Sequence, residues 1–382
     1  MDDRNMQPYP LLHTLPYTAD QILAGISHGV YVTDLERRIV YWNEAAEKIT
    51  GWRASEVLGR SCKDNILRHT DKEGKELCGK ESCPLYRAMI TGAGSTSPSL
   101  VFAQKKEGGR LPVQVSVSPI CNEQGTVIGG VEVFQDLSPR MRDLERARQI
   151  QALSMAMPAN DDPRLRWAFH YAPHDIVGGD YSTVERLDQN RYAFLLADVM
   201  GHGVAASLYA MHLHSLWESN RSLLAQPSLF MAALNRNLCQ LVRDGESFAT
   251  CLFGLIDLET RTATLCGAGS PPLLLDREKE TLPIKMAGLP LGMMPETEYE
   301  TSLIPLSPGD GLLFFTDGAI EIADSRGKML GSEGLANLVS THGFPDTEQK
   351  MLHLIEKTLL FSNEIRLPDD LTMLAVRFLV EP

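Results

Sequence analysis

Ala193-Phe194-Leu195-Leu196-Ala197-Asp198-Val199-Met200-Gly201-His202-Gly203-Val204-Ala205-Ala206 is the stretch on which the reading of this chain turns. An apolar run of strand type delivers an acid at its end, two glycines around a histidine supply a turn, and a helix pattern follows. The same design recurs on either side. Gly178-Gly179-Asp180 opens another apolar segment, Gly311-Leu312-Leu313-Phe314-Phe315 leads into Thr316-Asp317-Gly318, and Pro368-Asp369-Asp370-Leu371-Thr372 runs into Met373-Leu374-Ala375-Val376. A carboxylate at the edge of a buried strand costs stability unless something cationic pairs with it. Any one such Asp reads more simply as a turn or cap residue. Four converging from separate strands make an oxygen-rich site for hard divalent ions, Mg²⁺ or Mn²⁺.

Upstream the patterning changes. Residues 1–17 have no clear period and read as a lead-in. Gly29–Asp34 and Ile39–Asn43 form a hairpin across the turn at Leu35–Arg38, followed by a short helix, Glu44–Ile49, closed by Gly51. Leu111–Ser118 alternates as a half-buried strand does, and Val127–Phe134 pairs back on it after Asn122–Gly125. Leu137 to Met157 lacks Gly and can start on Ser138 as a cap. Leu137, Met141, Leu144, Ala147, Ile150, Leu153 and Met157 form an apolar stripe opposite Arg140, Arg142, Asp143, Glu145, Arg146 and Arg148. Two readings stay open, a helix packed on its own domain and a signalling helix pairing with a second copy. Pro158–Pro163 breaks it. The second domain then carries helices at Ala205–Trp217 and Pro227–Val242 and a hairpin of Thr250–Asp257 with Thr262–Gly267.

The bulk numbers narrow the class. A formal net charge of -13 argues against nucleic acid or anionic lipid as a partner. No apolar stretch approaches the roughly 20 residues of a membrane span. The acidic start Met1-Asp2-Asp3-Arg4 is not a signal peptide, so a cytoplasmic protein is expected. Seven cysteines, an odd number, do not suggest a disulfide framework.

Asp34, Ile39-Val40-Tyr41-Trp42-Asn43-Glu44-Ala45-Ala46, Gly51-Trp52 and Glu56-Val57-Leu58-Gly59-Arg60, with a closing strand that ends in Asp136, resemble a PAS sensor domain. The later motifs resemble the PPM metal-dependent Ser/Thr phosphatase superfamily, in its bacterial SpoIIE/RsbU-type branch. In the family's order these are Val177–Tyr181, Ala197–Ala206, Ala249-Thr250, Leu289–Gly292, Pro308–Asp310, Thr316–Gly318 and Asp369–Thr372. Ala147-Arg148-Gln149-Ile150-Gln151 is similar to the segment that precedes this branch's catalytic domain. The expected fold class is therefore α+β: a PAS domain over 18–136, a linking signalling helix over 137–158 and a PPM-type α/β/β/α sandwich over 159–382.

The resemblance implies that Asp198 bridges two Mn²⁺ or Mg²⁺ ions, with the carbonyl of Val199 adding an oxygen. Asp317 and Asp369 complete one metal's shell, and Asp180 serves the other. The metals activate a water that attacks phosphorus in line and neutralise the phosphoryl oxygens. Asp370 is expected to be an outward hydrogen-bonding neighbour, His202 a turn histidine or a general acid, and Asp310 a plain turn. Thr183 and Ser270 stand where many relatives have Asp and His, and neither is a core metal ligand. Gly178–Tyr181 superficially matches the start of the GGDEF signature of diguanylate cyclases but lacks its Glu-Phe continuation. The implied activity is a signal-regulated protein serine/threonine phosphatase acting on a STAS-type anti-sigma-factor antagonist, as a homodimer through the PAS domain and linker. The alternative is a catalytically silent PPM-fold binding module.

Cys62, His69, Cys78 and Cys83 fall in one connecting segment of the sensor, Ser61–Leu85. Thiolates plus an imidazole suit a structural Zn²⁺ site, an iron–sulfur site or a redox pair. The competing reading makes the cysteines small buried hydrophobes and His69 a surface residue. Gly59–Cys62 faintly resembles the photoreactive segment of flavin-binding LOV domains, but Lys63-Asp64-Asn65 departs from it and no flavin is expected.

Overall fold

Leu111, Val113, Val115 and Val117 all turn inward from one long strand, and the first core is built on that face. This computed structural model describes residues 18–379 apart from Lys63, Asn65, Glu73, 79–81, Thr96, Ala156, 158–160, 242–246, Lys279 and 363–368. The expected lead-in over 1–17, the break at Pro158 to Asn160, Val242 at a helix end and Pro368 lie outside the described residues. The chain divides into two compact units, Met1–Asp143 and Leu144–Pro382.

The first unit runs α1 (Ala19–Ala24), β1 (Gly29–Asp34), β2 (Ile39–Trp42), α2 (Glu44–Thr50), α3 (Ala54–Val57), α4 (Pro84–Thr91), β3 (Ser99–Gln104), β4 (Arg110–Cys121) and β5 (Val127–Asp136). Its five strands form one antiparallel sheet in the order β2-β1-β5-β4-β3. Asn43 explains the β2–α2 junction. Its side-chain oxygen accepts from Ala46 N and Val30 N, both at 2.9 Å, while its amide donates to the carbonyl of His28 at 3.0 Å. One buried side chain thus caps a helix and ties it to the sheet. Gly51 ends α2 in the left-handed region at φ 80°, which an L side chain rarely adopts.

Helix α5 (Ser138–Ser154) crosses from the first unit into the second. Ser138 does not cap it. The helix starts one residue earlier than a Ser138 cap allows, and Asp136 Oδ1 accepts the Ser138 N–H at 2.7 Å. The expected apolar stripe is open near its end, with Ile150 59% and Leu153 84% exposed, while the polar Gln151 and Ser154 are buried.

The second unit continues with β6 (Leu165–Ala172), β7 (Asp180–Arg186), β8 (Arg191–Val199), α6 (Val204–Ser219), α7 (Pro227–Leu241), β9 (Ala249–Asp257), β10 (Thr262–Ala268), β11 (Leu273–Arg277), β12 (Glu280–Ile284), β13 (Ser302–Pro305), β14 (Gly311–Phe315), α8 (Gly331–His342), α9 (Glu348–Phe361) and β15 (Leu371–Phe378). Two five-stranded sheets result, ordered β13-β10-β9-β8-β7 and β12-β11-β14-β15-β6. Their facing sides share a core of Trp167, Phe194, Ile256, Phe314 and Leu374, in which the Phe194 and Phe314 rings lie 4.5 Å apart. Leu213, Trp217 and Phe230 of α6 and α7 cover one outer face, and Leu335, Val339 and Leu354 of α8 and α9 cover the other. Strand β8 is buried on both faces, which is why Tyr192–Ala197 is continuously buried instead of alternating. The layering is the α/β/β/α sandwich that the motifs imply.

Candidate metal centre

Asp180, Asp198, Asp317 and Asp369, with Asp370 beside them, meet at one end of the facing sheets because of register. Asp180, first residue of β7, lies directly opposite Asp198, next to last in β8. Like charges so placed oppose pairing unless protonated or bridged by a cation. Asp317 starts a single 3₁₀ turn, Asp317–Ala319, just past β14, and Asp369 and Asp370 lie just before β15. The Thr316 N–H donates to the Thr372 carbonyl at 3.1 Å and holds these two strand ends together.

Asp180 is fully buried. Its Oδ2 accepts from the hydroxyls of Thr316 at 2.9 Å and Thr372 at 2.5 Å, while Oδ1 has no hydrogen-bond partner. Burial first, and then the Asp198 carboxylate, hold its pKa well above the usual carboxylate range. The Asp198 carboxyl is within hydrogen-bonding reach of Asp180 and Asp317. Burial and then Asp317, Asp369 and Asp370 push it up as well. Asp317 is raised by burial, then by Glu321 and Asp369.

Glycines let the backbone close around these acids. A Cβ on Gly179 would stand 2.7 Å from the Val199 carbonyl oxygen, and one on Gly318 would stand 2.0 Å from the Asp370 carbonyl oxygen. Val199 is buried, and its N–H donates to the Gly179 carbonyl at 3.3 Å. Sequence reasoning brings together Asp180, Asp198, Val199, Asp317 and Asp369, and the fold gathers them at one place.

Several supporting residues escape local reading. Asp370 is not outward: it is buried and accepts the N–H of His174 at 2.6 Å and of Gly179 at 2.5 Å. Those partners lie 196 and 191 residues away in sequence, so no local pattern announces them. Asp310 is more than a plain turn, since it is buried and ion-paired to Arg277 at 2.7 Å. Gln151 of α5 donates to the Gly178 carbonyl at 2.7 Å and accepts from the Gly178 N–H at 3.3 Å. His202 Nδ1 lies 2.7 Å from Asp175 Oδ2, and this hydrogen bond raises the His202 pKa. His174, Asp175 and His202 bring three donor atoms within 4.8 Å of one another, the one such set among the described residues. Ser270 borders a small recess with Asp198, Thr250 and Thr316, and its buried hydroxyl has no partner.

The donor set fits divalent metals. Every group offered by the five residues is a hard oxygen donor, Asp180 Oδ1 is buried and takes no hydrogen bond, and crowding with burial disfavours the charged carboxylates unless a cation offsets it.

The family model "Stage II sporulation protein E (SpoIIE)" matches residues 188–379, half of the 382-residue chain. The chain belongs to the SpoIIE family. A PAS domain model matches residues 27–139. Among curated relatives, the phosphoserine phosphatase RsbP of Bacillus subtilis is 29% identical over 184 residues, 47% of this chain and 45% of that protein. The phosphoserine phosphatase RsbU of the same organism is 25% identical over 237 residues, 62% of this chain and 70% of that protein. The SpoIIE-family chain thus spans less than half the length of RsbP. Among solved structures, the SiaA-PP2C domain of Pseudomonas aeruginosa superposes with a TM-score of 0.56 at 20% identity, covering 63% of this chain and 99% of that one. The phosphatase domain and regulatory fragment of SpoIIE from Bacillus subtilis gives 0.51 at 16% identity, covering 74% and 80%. At these identities the superpositions speak for the fold alone.

In the PAS unit of this SpoIIE-family chain, Cys62, Cys78, Cys83 and also His69 are buried, so His69 is not the surface residue of the blander reading. The His69 N–H donates to the Cys78 sulfur at 3.1 Å. Glu132 on β5, which sequence reasoning did not single out, is 1% exposed and faces His69.

Proposed function

We propose that this chain is a signal-regulated protein phosphatase that hydrolyses phosphoserine or phosphothreonine. The observation that carries the reading is the convergence of Asp180, Asp317 and Asp369 on Asp198, with the buried Oδ1 of Asp180 taking no hydrogen bond. Asp180, Asp198, the Val199 carbonyl, Asp317 and Asp369 would hold two Mn²⁺ or Mg²⁺ ions. When bound, such ions lower the pKa of water for in-line attack and neutralise the phosphoryl oxygens.

The protein's own groups prepare that site. Thr316 and Thr372 fix one oxygen of Asp180 and leave the other free. Asp370 and Gln151 clamp the Gly178-Gly179 backbone from two sides, which sets where Asp180 starts. Asp175 orients the exposed His202 ring and favours a proton on it, beside the acids, where a leaving Ser or Thr oxygen needs one.

Two relatives named as phosphoserine phosphatases support the substrate class. The finer proposal is a phosphorylated STAS-type anti-sigma-factor antagonist, acted on in the cytoplasm by a homodimer joined through the PAS unit and α5. The exposed Ile150 and Leu153 on α5 support the second copy. Among the described residues no helix is long and apolar enough to cross a membrane. Hydrolysis of a phosphoserine peptide by the full chain with and without Mn²⁺ tests the reading. Turnover that needs the metal is expected, and metal-independent turnover would overturn it.

A further inference from the structure

The interior of the PAS unit holds a polar set that its fold does not use. His69 and Glu132 are 3% and 1% exposed, and His69 Nε2 lies 3.6 Å from Glu132 Oε1, beyond hydrogen-bond range. Neither of these two atoms has any hydrogen-bond partner. They are not an ion pair either. Burial drives the His69 pKa down and the Glu132 pKa up, so the charged form of each is disfavoured. Leaving two buried polar atoms unsatisfied costs stability. A core of this size could avoid that with two apolar residues.

Around them lie three free, buried cysteines. Cys62 feels Cys78, Glu132 and Cys83, Cys78 feels Cys83 and Glu132, and Cys83 feels Glu132. Cys78 accepts a main-chain N–H from His69, a hydrogen bond that suits a thiolate better than a thiol. Burial pushes the Cys78 thiol up, while the Arg37 guanidinium favours the thiolates of Cys62 and Cys83. Soft sulfur and imidazole donors select zinc or iron–sulfur centres.

The spacing separates these two. Donors each about 2.3 Å from a single zinc lie no more than roughly 4.6 Å apart. Among the described residues, no three of Cys62, His69, Cys78, Cys83 and Glu132 place their donor atoms within 4.8 Å of one another. Donors spread more widely than one ion allows match a polynuclear cluster, in which each ligand binds a different iron.

We propose that the PAS unit houses an iron–sulfur cluster held by the thiolates of Cys62, Cys78 and Cys83, with His69 as the fourth ligand. Glu132 then faces the ligand set from β5, the strand that runs through Leu137 directly into α5. This goes beyond the phosphatase reading, and its test is independent of hydrolysis.

The full chain is purified without oxygen and assayed for iron, acid-labile sulfide, zinc and visible absorption. Cys62→Ser, Cys78→Ser and Cys83→Ser are measured beside Cys121→Ser, which alters an exposed cysteine of the same unit. The proposal expects iron and sulfide in matching amounts in the native chain and in Cys121→Ser. Visible absorption should be lost at least several-fold in each of the other three. Circular dichroism that matches the metal-stripped native chain shows that a variant still folds. One zinc per chain without sulfide overturns the cluster. So does the absence of iron both as purified and after anaerobic reconstitution with ferrous iron and sulfide.

Discussion

Buried titratable groups are treated differently in the two units. In the second, Asp180 takes two hydroxyls on one oxygen and Asp370 takes two main-chain N–H groups, so the acids are held in place before any cation arrives. In the first, His69 and Glu132 face each other at 3.6 Å with nothing donated to either facing atom. The first arrangement is a crowded set of hard oxygens held in place by hydrogen bonds. The second is a buried interior in which the facing polar atoms take no hydrogen bond. Buried polar groups therefore differ in kind: one set awaits charge, the other awaits ligation.

The comparison breaks most visibly if an acid of the cradle is neutralised. Asp317→Asn should lower metal-dependent hydrolysis by about a thousandfold or more. Several kcal/mol of charge stabilisation are at stake, and each 1.36 kcal/mol is worth tenfold in rate. Steady-state assays at saturating Mn²⁺ measure it, and a loss below tenfold would mean that Asp317 is not a ligand.

A smaller loss is expected from the groups that hold the ligands. Thr316→Val with Thr372→Val strips both donors from Asp180 Oδ2 and should weaken Mn²⁺ binding by about 10–100-fold. Calorimetric titration reads this directly, and unchanged affinity would show that the cradle is not preorganised by these hydroxyls. Gln151→Ala should shift metal affinity less, by about tenfold, while unfolding free energy falls by about 1–3 kcal/mol through the unpaired Gly178 groups. If only stability moves, Gln151 is structural and does not position the loop.

The smallest effect concerns Asp162, away from both clusters. Its hydrogen bond from Arg164 is the main cause of a pKa lowered to about 2 from the ordinary 3.8. A lowered folded-state value contributes stability above the unfolded pKa and loses it as pH falls through the folded one. Acid unfolding followed between pH 4 and 2 should therefore flatten in Asp162→Asn, relative to the native chain. An identical acid limb would remove Asp162 from the account.

Much of this was legible in the sequence for a physical reason. Each of Asp180, Asp198, Asp317 and Asp369 sits beside an apolar strand run, and a local pattern can show that. The continuous run through Phe194 and Leu195 also signals a strand covered on both faces. The supports are invisible because they are long-range. Thr372 meets Asp180 across 192 residues, and Asp370 meets Gly179 across 191. Gln151 was legible only as the end of the Ala147–Gln151 segment, and its contact with Gly178 was hidden because the helix's stripe drew attention to Ile150 and Leu153 instead. Those two are exposed. Glu132 was passed over because alternation in β5 makes it one more strand residue, and only the fold puts it against His69.

The central claim is that the four converging carboxylates bind the metals that make this chain a phosphatase. Its most direct test is Mn²⁺ titration of the full chain and of Asp198→Asn, with phosphoserine-peptide hydrolysis recorded in the same samples. The account predicts saturable Mn²⁺ binding with turnover that rises along the binding curve, both lost in Asp198→Asn. Native protein that binds no Mn²⁺ or Mg²⁺ and hydrolyses nothing would contradict it and leave a binding module in the phosphatase fold.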